Sequence, residues 1–398
     1  MTYGYMGKIL RIDLTKRTCV DDTIDQEILK KYLGGRGLGV WLLSRESRVD
    51  VDPFSEESVI VFCTGPYTGA GSFSAFYNVT FNSPLTGVAG SAHSGGTWGP
   101  YLKKTGYDAL IIKGKVSLPS YIMIDDGKIQ ILDAKDIWGK GVKETDRILK
   151  DLHGKVEVAA IGTAGEKLSR YASLMNNVYR AIGRGGLGAV MGSKNIKAIV
   201  VGGNQKIQYH DRKAFMEISK NGAKKALADA KRFASYGTTQ TVAVMNQKGA
   251  LPTYNFRAGK FKDVDKITGE TMKSLYWVRD QGCYNCPLKC ANIHTVPDGP
   301  FAVEETEGPE YETLMAFGAN CGNSNLECII KASDMCNDLG VDTIATGQTI
   351  ALLFDLYERG YVNADFAPGL DLSWGNPETI IKLVGLIGKR EGCGDILA

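Results

Sequence analysis

The chain has 398 residues, 43% of them apolar, with 47 basic residues against 44 acidic ones. That length exceeds one ordinary core and implies two or three domains. The near balance of charge argues against nucleic acid or a membrane as main partner.

The first half reads as strands broken by glycine. Ile9–Asp13 and Cys19–Asp21 flank a turn at Thr15–Arg17, followed by a helix at Gln26–Tyr32. Strands are expected at Val59–Thr64 and Asn78–Phe81, and a helix at Gly99–Thr105. Tyr121–Ile124 and Lys128–Leu132 bracket Asp126-Gly127, a hairpin signal. A helix at Val142–Leu152 lies ahead of buried strands at Val156–Ile161 and Ile196–Val201. After a polar linker near residues 203–211, helical periodicity takes over. It covers Lys213–Lys231, Glu270–Arg279, Tyr311–Ala319, Leu326–Leu339, Thr343–Arg359 and Pro377–Lys389, with irregular chain over residues 232–265. The expected class is α+β, with a β-rich N-terminal domain over 1–208 and a mostly helical domain over 209–398.

Met1 to Leu14 carries no secretory h-region, and no apolar run reaches the ~18 residues of a membrane span. The expected location is the cytoplasm. In such a reducing compartment the nine cysteines point to metal or redox chemistry rather than to disulfides.

The strongest local signal is Cys283-Tyr284-Asn285-Cys286-Pro287-Leu288-Lys289-Cys290, a C-x2-C-x3-C spacing. Thiolates so spaced on a tight loop converge on an iron–sulfur core, whose fourth ligand often comes from far away in sequence. The same residues with His294 would make a Cys3His zinc site, and unbound thiols are a third reading. Cys321, Cys328 and Cys336 fall in expected helices and read as small buried hydrophobes. Cys393 is a weaker fourth-ligand candidate.

Four glycine segments stand out: Gly34–Gly39, Gly65–Gly69, Ser94–Gly99 and Arg180–Gly188. Singly, each reads as a turn. Together, with Arg180 and Arg184 able to bond an anion, they point to a large phosphorylated cofactor. Gly183, Gly185 and Gly188 fit G-x-G-x-x-G, but no apolar strand leads in and no ribose-binding acid follows, so a Rossmann site is not expected.

Several strings together resemble the aldehyde ferredoxin oxidoreductase family. They are Leu33-Gly-Gly-Arg-Gly-Leu-Gly, Thr64-Gly-Pro-Tyr-Thr-Gly, Ser83-Pro-Leu-Thr-Gly, Ser94-Gly-Gly-Thr-Trp-Gly, Gly188-Ala-Val-Met-Gly-Ser-Lys-Asn, the cysteine loop and Gly308-Pro-Glu-Tyr-Glu-Thr. The resemblance is collinear over the whole chain. It implies tungsten or molybdenum held by two pterins on the β-rich N-terminal domain, with Mg2+ bridging pterin phosphates as an accompanying ion. It also implies a [4Fe–4S] cluster on Cys283, Cys286 and Cys290 that passes electrons to ferredoxin.

The implied reaction oxidises a small aldehyde with water to the carboxylic acid. A related tungsten subunit acting on an aromatic acyl-CoA, of the benzoyl-CoA reductase type, is the alternative, with Cys321 as a candidate metal ligand. A truncated electron-transfer remnant is a further one. The resemblance implies cofactor contacts at His93, Gly95, Gly96, Arg180, Ala181, Gly183, Arg184 and Gly185. A D-x-x-G pterin motif falls at Asn337, Gly340 and Asp342, with Asn in place of the first Asp. Phe76 stands where the family often has Arg, and His93 where it often has Asn. Glu312, then Glu310, are the catalytic acid/base candidates. No nucleic acid or membrane is expected, while a homo-oligomer or a partner subunit is compatible. Family members are longer, so the reading expects the chain to stop inside a larger fold.

Overall fold

The computed structural model describes residues 3–398. The chain forms two compact units: one runs to Lys225 and includes Cys283–Pro287, and the other comprises Ala226–Gly282 and Leu288–Ala398.

The first unit contains, in order, β1 (Lys8–Asp13), β2 (Thr18–Thr23), α1 (Gln26–Tyr32), α2 (Gly35–Glu46), β3 (Ile60–Cys63), β4 (Tyr77–Asn82) and β5 (Ala89–Ser94). It continues with α3 (Trp98–Lys104), β6 (Ala109–Lys113), β7 (Ser120–Asp125), β8 (Lys128–Asp133), α4 (Val142–His153), β9 (Glu157–Ile161) and α5 (Thr163–Glu166). Then come β10 (Leu174–Asn176), β11 (Arg180–Ile182), α6 (Leu187–Ser193), β12 (Ile196–Gly202) and α7 (Arg212–Asp229). The strands make two six-stranded mixed sheets, ordered β2-β1-β6-β3-β4-β5 and β11-β10-β9-β12-β7-β8.

Alternation within the strands sets the layers. Leu10, Phe62, Val79, Phe81 and Leu110 from the first sheet share one buried core with Ile122, Ile161, Leu174, Ile199 and Val201 from the second. Trp98 of α3 and Leu187 of α6 fill the same core, and the Trp98 indole donates to the Ile199 carbonyl at 3.0 Å. The opposite-facing residues of the first sheet, Ile9, Val61 and Ile111, pack under Leu29, Leu38 and Leu42 of α1 and α2. On the second sheet, Tyr121, Val158 and Val200 pack under Leu149 of α4. Strands covered on both faces appear in sequence as continuous apolar runs, as Val59–Cys63 and Ala198–Val201 do. Each fully buried side chain of this size contributes about 1.5–3 kcal/mol.

The first unit reaches past the polar linker expected to end it. Phe215 of α7 packs against Tyr67 and Tyr209, and the Ser219 hydroxyl accepts from the Ser72 amide at 2.8 Å. These contacts hold the start of α7 to the first unit.

The second unit contains α8 (Lys231–Tyr236), α9 (Val242–Gln247), α10 (Gly269–Tyr276), β13 (Trp277–Gln281), β14 (Ala291–Val296), β15 (Val303–Glu307) and α11 (Tyr311–Phe317). It ends with α12 (Leu326–Leu339), α13 (Thr343–Glu358), α14 (Pro377–Lys389) and α15 (Cys393–Leu397). The expected helix over Glu270–Arg279 divides. It stops at Tyr276, and Trp277–Gln281 becomes an exposed edge strand paired antiparallel to β14. The Arg279 side chain there pairs with Glu305 of β15, two strands across. Gly34–Gly39, read as a turn, instead opens α2, because Leu38, Leu42 and Leu43 bury against the first sheet. Among the described residues no helix is long and apolar enough to cross a membrane.

Candidate cofactor site

The first part of the cysteine loop is held by backbone contacts within the first unit. The Cys286 amide donates to the Cys283 carbonyl at 3.0 Å, the Tyr284 amide to the Gly96 carbonyl at 3.0 Å, and the Phe73 amide to the Asn285 carbonyl at 3.1 Å. Asn285 takes a φ of 49°, a left-handed conformation Asn tolerates. The Cys283 sulfur rests where a Gly95 side chain would be: a Cβ there would lie 2.8 Å from Sγ. Position 95 must therefore be glycine for Cys283 to sit so close to that backbone. Cys283, Cys286 and Cys290 are all half-buried. The loop fits a small inorganic group in that its thiols are accessible and its backbone is restrained.

A buried polar network fixes the glycine loop beneath Cys283. Asn176 Oδ1 accepts from the Tyr77 hydroxyl at 2.9 Å and the Ser94 hydroxyl at 2.7 Å, while its Nδ2 donates to the Gly95 carbonyl at 3.0 Å. Asn177 continues it: its Oδ1 accepts from the Thr97 amide at 2.8 Å, and its Nδ2 donates to Thr97 Oγ1 at 2.6 Å and to Glu157. Gly96, with a φ of +84°, leaves no room for a side chain, since a Cβ would be 2.3 Å from Asn177 Oδ1. Sequence reasoning singled out neither asparagine.

Around this loop the same unit presents cations. His93 on β5 is exposed, and Arg36 of α2 reaches Ser91 Oγ at 3.2 Å and lies 3.4 Å from His93 Nδ1. Partial burial and then the Arg36 charge lower the His93 pKa. Neutral His93 offers one donor and one acceptor. Arg36 is a cation the sequence reading left inside a glycine motif. Arg180 and Ala181 lie on β11, beside Asn176 and Met175 of β10. The carbonyls of Gly183 and Gly185 accept from Ser173 at 3.0 Å and Ser83 at 2.7 Å, which fixes the loop carrying exposed Arg184. Phe76 is 60% exposed, and its ring would lie 3.9 Å from a Gly95 Cβ. It puts an apolar surface, not a charge, beside Cys283. Cationic side chains over a side-chain-poor backbone fit a phosphorylated heterocycle.

In the second unit, Cys290 and Glu310 flank one glycine. Gly237 has a φ of +55°, and a Cβ there would lie 2.5 Å from the Cys290 carbonyl oxygen and 3.8 Å from Glu310 Oε2. The Thr238 hydroxyl donates to Glu310 and accepts from the Tyr311 amide at 3.0 Å. That pair of bonds fixes the Glu310 carboxylate at the start of α11. Glu312, one residue into the helix, is also exposed, and its side chain forms no hydrogen bond among the described residues. Asn337 lies near the end of α12, Gly340 caps it in a left-handed conformation, and Asp342 accepts from the Ile344 amide at 3.0 Å to start α13.

His294 is fully buried on β14, with Nδ1 2.9 Å from the Gly308 carbonyl. Burial holds its pKa down at about 4. Cys321 is fully buried and its thiol donates to the carbonyls of Ala316 and Gly347, at 3.2 and 3.3 Å. Burial raises its pKa far above the usual thiol value. Cys328, Cys336 and Cys393 are buried as well. Among the described residues no three His, Cys, Asp or Glu side chains are gathered as a ready-made metal cage. Support for the cysteine ligand set is therefore the loop's spacing and seating.

A mixed-sheet base with a cation-rimmed glycine loop, against which a cysteine loop is seated, fits a cofactor-binding redox protein. Two family models divide the chain: the N-terminal domain of aldehyde ferredoxin oxidoreductase matches residues 9–203, and its domains 2 and 3 match residues 213–398. The chain belongs to the aldehyde ferredoxin oxidoreductase family. It is 43% identical over its full length to the tungsten-containing aldehyde ferredoxin oxidoreductase of Pyrococcus horikoshii. It is 32% identical, again over its full length, to the WOR-like subunit of an aliphatic sulfonate oxidoreductase from Pyrococcus furiosus. In each case the chain spans 66% of the relative's length. Its fold matches a chain of the BamBC active-site complex of benzoyl-CoA reductase with 1,5-dienoyl-CoA. That match has a TM-score of 0.84 at 28% identity, covering all of this chain and 62% of the other.

Proposed function

We propose that this chain supplies the pterin base and the cluster loop of an oxidoreductase converting aldehydes to carboxylic acids: RCHO + H2O → RCOOH + two electrons + two protons. A [4Fe–4S] cluster, when bound, would pass the electrons on to ferredoxin. The observation that carries this reading is Cys283 seated on side-chain-free Gly95, in a chain 43% identical to tungsten-containing aldehyde ferredoxin oxidoreductases.

Cys283, Cys286 and Cys290 would hold the cluster. His93, Gly95, Gly96, Arg180, Ala181, Gly183, Arg184 and Gly185 would hold the pterin, and Asn337, Gly340 and Asp342 are further candidates for it. When bound, tungsten or molybdenum would supply the two-electron oxidation at the aldehyde carbon, and Mg2+ would offset phosphate charge. Arg180 and Arg184 neutralise phosphate charge, and neutral His93 donates one hydrogen bond. Glu310, fixed by Thr238, accepts a proton from water as it adds to the carbonyl carbon. Glu312 is the second candidate for that step. A fixed carboxylate needs less reorganisation than a mobile one.

The likeness to the benzoyl-CoA reductase complex favours a second reading, reduction of an aromatic acyl-CoA. Cys321, whose thiol donates to the carbonyls of Ala316 and Gly347, is the candidate metal ligand of that reading. The test is anaerobic purification with tungstate and iron, followed by dye-linked assays on aldehydes and on acyl-CoA thioesters. Tungsten or molybdenum with iron, and turnover of aldehydes alone, is the expected result. Stoichiometric zinc without iron, or turnover of thioesters alone, overturns it.

A further inference from the structure

Within the first unit the linker after β12 lines a groove of about 700 Å³, with Lys104, Lys206 and Arg212 along its walls and no Asp or Glu among its lining residues. This is uneven for a chain whose charges nearly balance, at 47 basic and 44 acidic residues. Lys206 and Arg212 are exposed and form no ion pair among the described residues. The Lys104 ammonium lies over two rings, 4.6 Å from the Tyr101 centroid and 5.0 Å from that of Tyr284. The first turn of α7 adds to the field. It holds Arg212 and Lys213 and no acid, although the positive end of a helix dipole disfavours cations there. Asp211, the adjacent carboxylate, is occupied in bonding the Ala214 amide at 3.0 Å.

The groove wall is anchored. The Gln205 amide donates to the Lys104 carbonyl at 3.0 Å, the Gly4 amide to the Gln208 carbonyl at 2.9 Å, and the Tyr209 hydroxyl to the Ala70 carbonyl at 2.8 Å. These cations therefore stand on fixed backbone. The Asp126 carboxylate accepts from the Asn204 amide at 2.8 Å, so Lys104, Lys206, Arg212 and Lys213 stand against two nearby carboxylates, and such an excess of cations raises the local potential and steers an anionic partner. The walls are mostly exposed side chains, so a small ligand would not be enclosed as such sites normally enclose one. Tyr284 lies between Cys283 and Cys286. Its contact with Lys104 connects the cationic groove to the cysteine loop.

We propose that this groove docks the acidic face of a one-electron carrier protein, with Lys104, Lys206 and Arg212 as its charged contacts and Tyr284 as the nearest point of the cluster loop. The proposal rests on the cluster reading above. Each encounter moves one electron: the cluster is oxidised by one, the carrier is reduced by one, and no proton or bond changes hands. Two encounters complete the oxidation of one aldehyde.

The test uses the anaerobically purified holoprotein and an acidic iron–sulfur carrier. Dissociation constants are measured between about 0.05 and 0.5 M salt, a range over which exposed charges are progressively screened. The double reversal K206E/R212E is expected to weaken binding at least about tenfold at low salt, while K206R/R212K retains it. Reduction of a small viologen dye by the K206E/R212E protein stays at the wild-type rate. Unchanged carrier affinity in K206E/R212E overturns the proposal. So does displacement of the carrier by micromolar inorganic pyrophosphate, which would make the groove a small-anion site. A wild-type protein without iron that still binds the carrier through Lys206 and Arg212 supports the docking surface and removes the cluster reading.

Discussion

The amide of Tyr284 donates to the carbonyl of Gly96 at 3.0 Å, fastening the cysteine loop to a glycine loop nearly two hundred residues earlier in the chain. On one side of that bond Cys283 rests against Gly95, and on the other Asn176 holds the Gly95 carbonyl. Seating of the cysteine loop thus depends on residues that bear no thiol.

Gly95→Ala is the sharpest test of that seating. A methyl at position 95 would lie 2.8 Å from Cys283 Sγ, closer than a Cβ and a sulfur approach, so Cys283 must shift. Bound iron should fall well below wild type, while the melting temperature changes little because no positive φ is involved at this residue. Iron determination together with thermal melting checks it. Full iron occupancy would show that the loop can relax.

Asn176→Ala addresses the support beneath. The substitution strands the buried Tyr77 and Ser94 hydroxyls, which both donate to Asn176 Oδ1. Stranded buried groups cost about 1–3 kcal/mol each, so a loss of about 2–6 kcal/mol is expected. Urea unfolding measures it. A loss under about 0.5 kcal/mol, the range of ordinary surface substitutions, would show that water replaces the amide.

The sequence carried part of this architecture because its signals are local. Asn325 caps α12 by accepting from the Cys328 amide, and Gly340 ends it in a left-handed conformation, so both boundaries are visible in the chain. Asp126 and Gly127 both take positive φ in the β7–β8 turn, as their dipeptide suggests. Three glycines made the start of α2 look like a loop, because burial of Leu38 and Leu42 outweighs the poor helix propensity of glycine. Pairing with β14 likewise made Trp277–Gln281 a strand, a tertiary cause with no periodic trace. The cysteines of the candidate site were legible from spacing alone. Asn176, Asn177, Thr238 and Arg36 were not, because each acts through a partner dozens of residues away: Asn176 meets Gly95, and Thr238 meets Glu310.

Lys194 predicts a pH dependence. It is buried, and its ammonium donates to the carbonyls of Ser58 at 2.7 Å and Gly114 at 3.1 Å. Burial lowers its pKa from 10.5 to about 8. Between those values the unfolded chain binds more protons than the folded one, so stability rises with pH through this window. Below about 8 both states are charged and the cost of burying the ammonium is constant. Relative to Lys194→Met, the wild type should gain roughly 3 kcal/mol on going from pH 8 to pH 10.5, at about 1.4 kcal/mol per unit. Denaturant titrations of both proteins across that range measure the difference. Parallel curves would show that Lys194 does not change charge there.

Glu310 and Glu312 make separable predictions for the chemistry. Both are exposed and lie at the start of α11, where a carboxylate is already favourable to the helix dipole. Composition and position therefore do not tell them apart. Thr238 does: its hydroxyl bonds the Glu310 carboxylate, and its backbone neighbour Gly237 abuts the Cys290 carbonyl. Glu310→Gln keeps the shape and the hydrogen bond but cannot take a proton, so the rate of aldehyde oxidation should fall on the order of 100-fold or more, with metal and iron content unchanged. Thr238→Val frees the carboxylate without removing it, and should lower kcat by roughly tenfold. Glu312→Gln should stay within about twofold of wild type, since losing a helix-dipole charge affects stability by only a few tenths of a kcal/mol. Steady-state kinetics with a dye acceptor across pH, run on all three variants, separates these outcomes. If Glu312→Gln abolishes turnover while Glu310→Gln retains it, Glu312 is the base and the Thr238 bond serves only to start the helix.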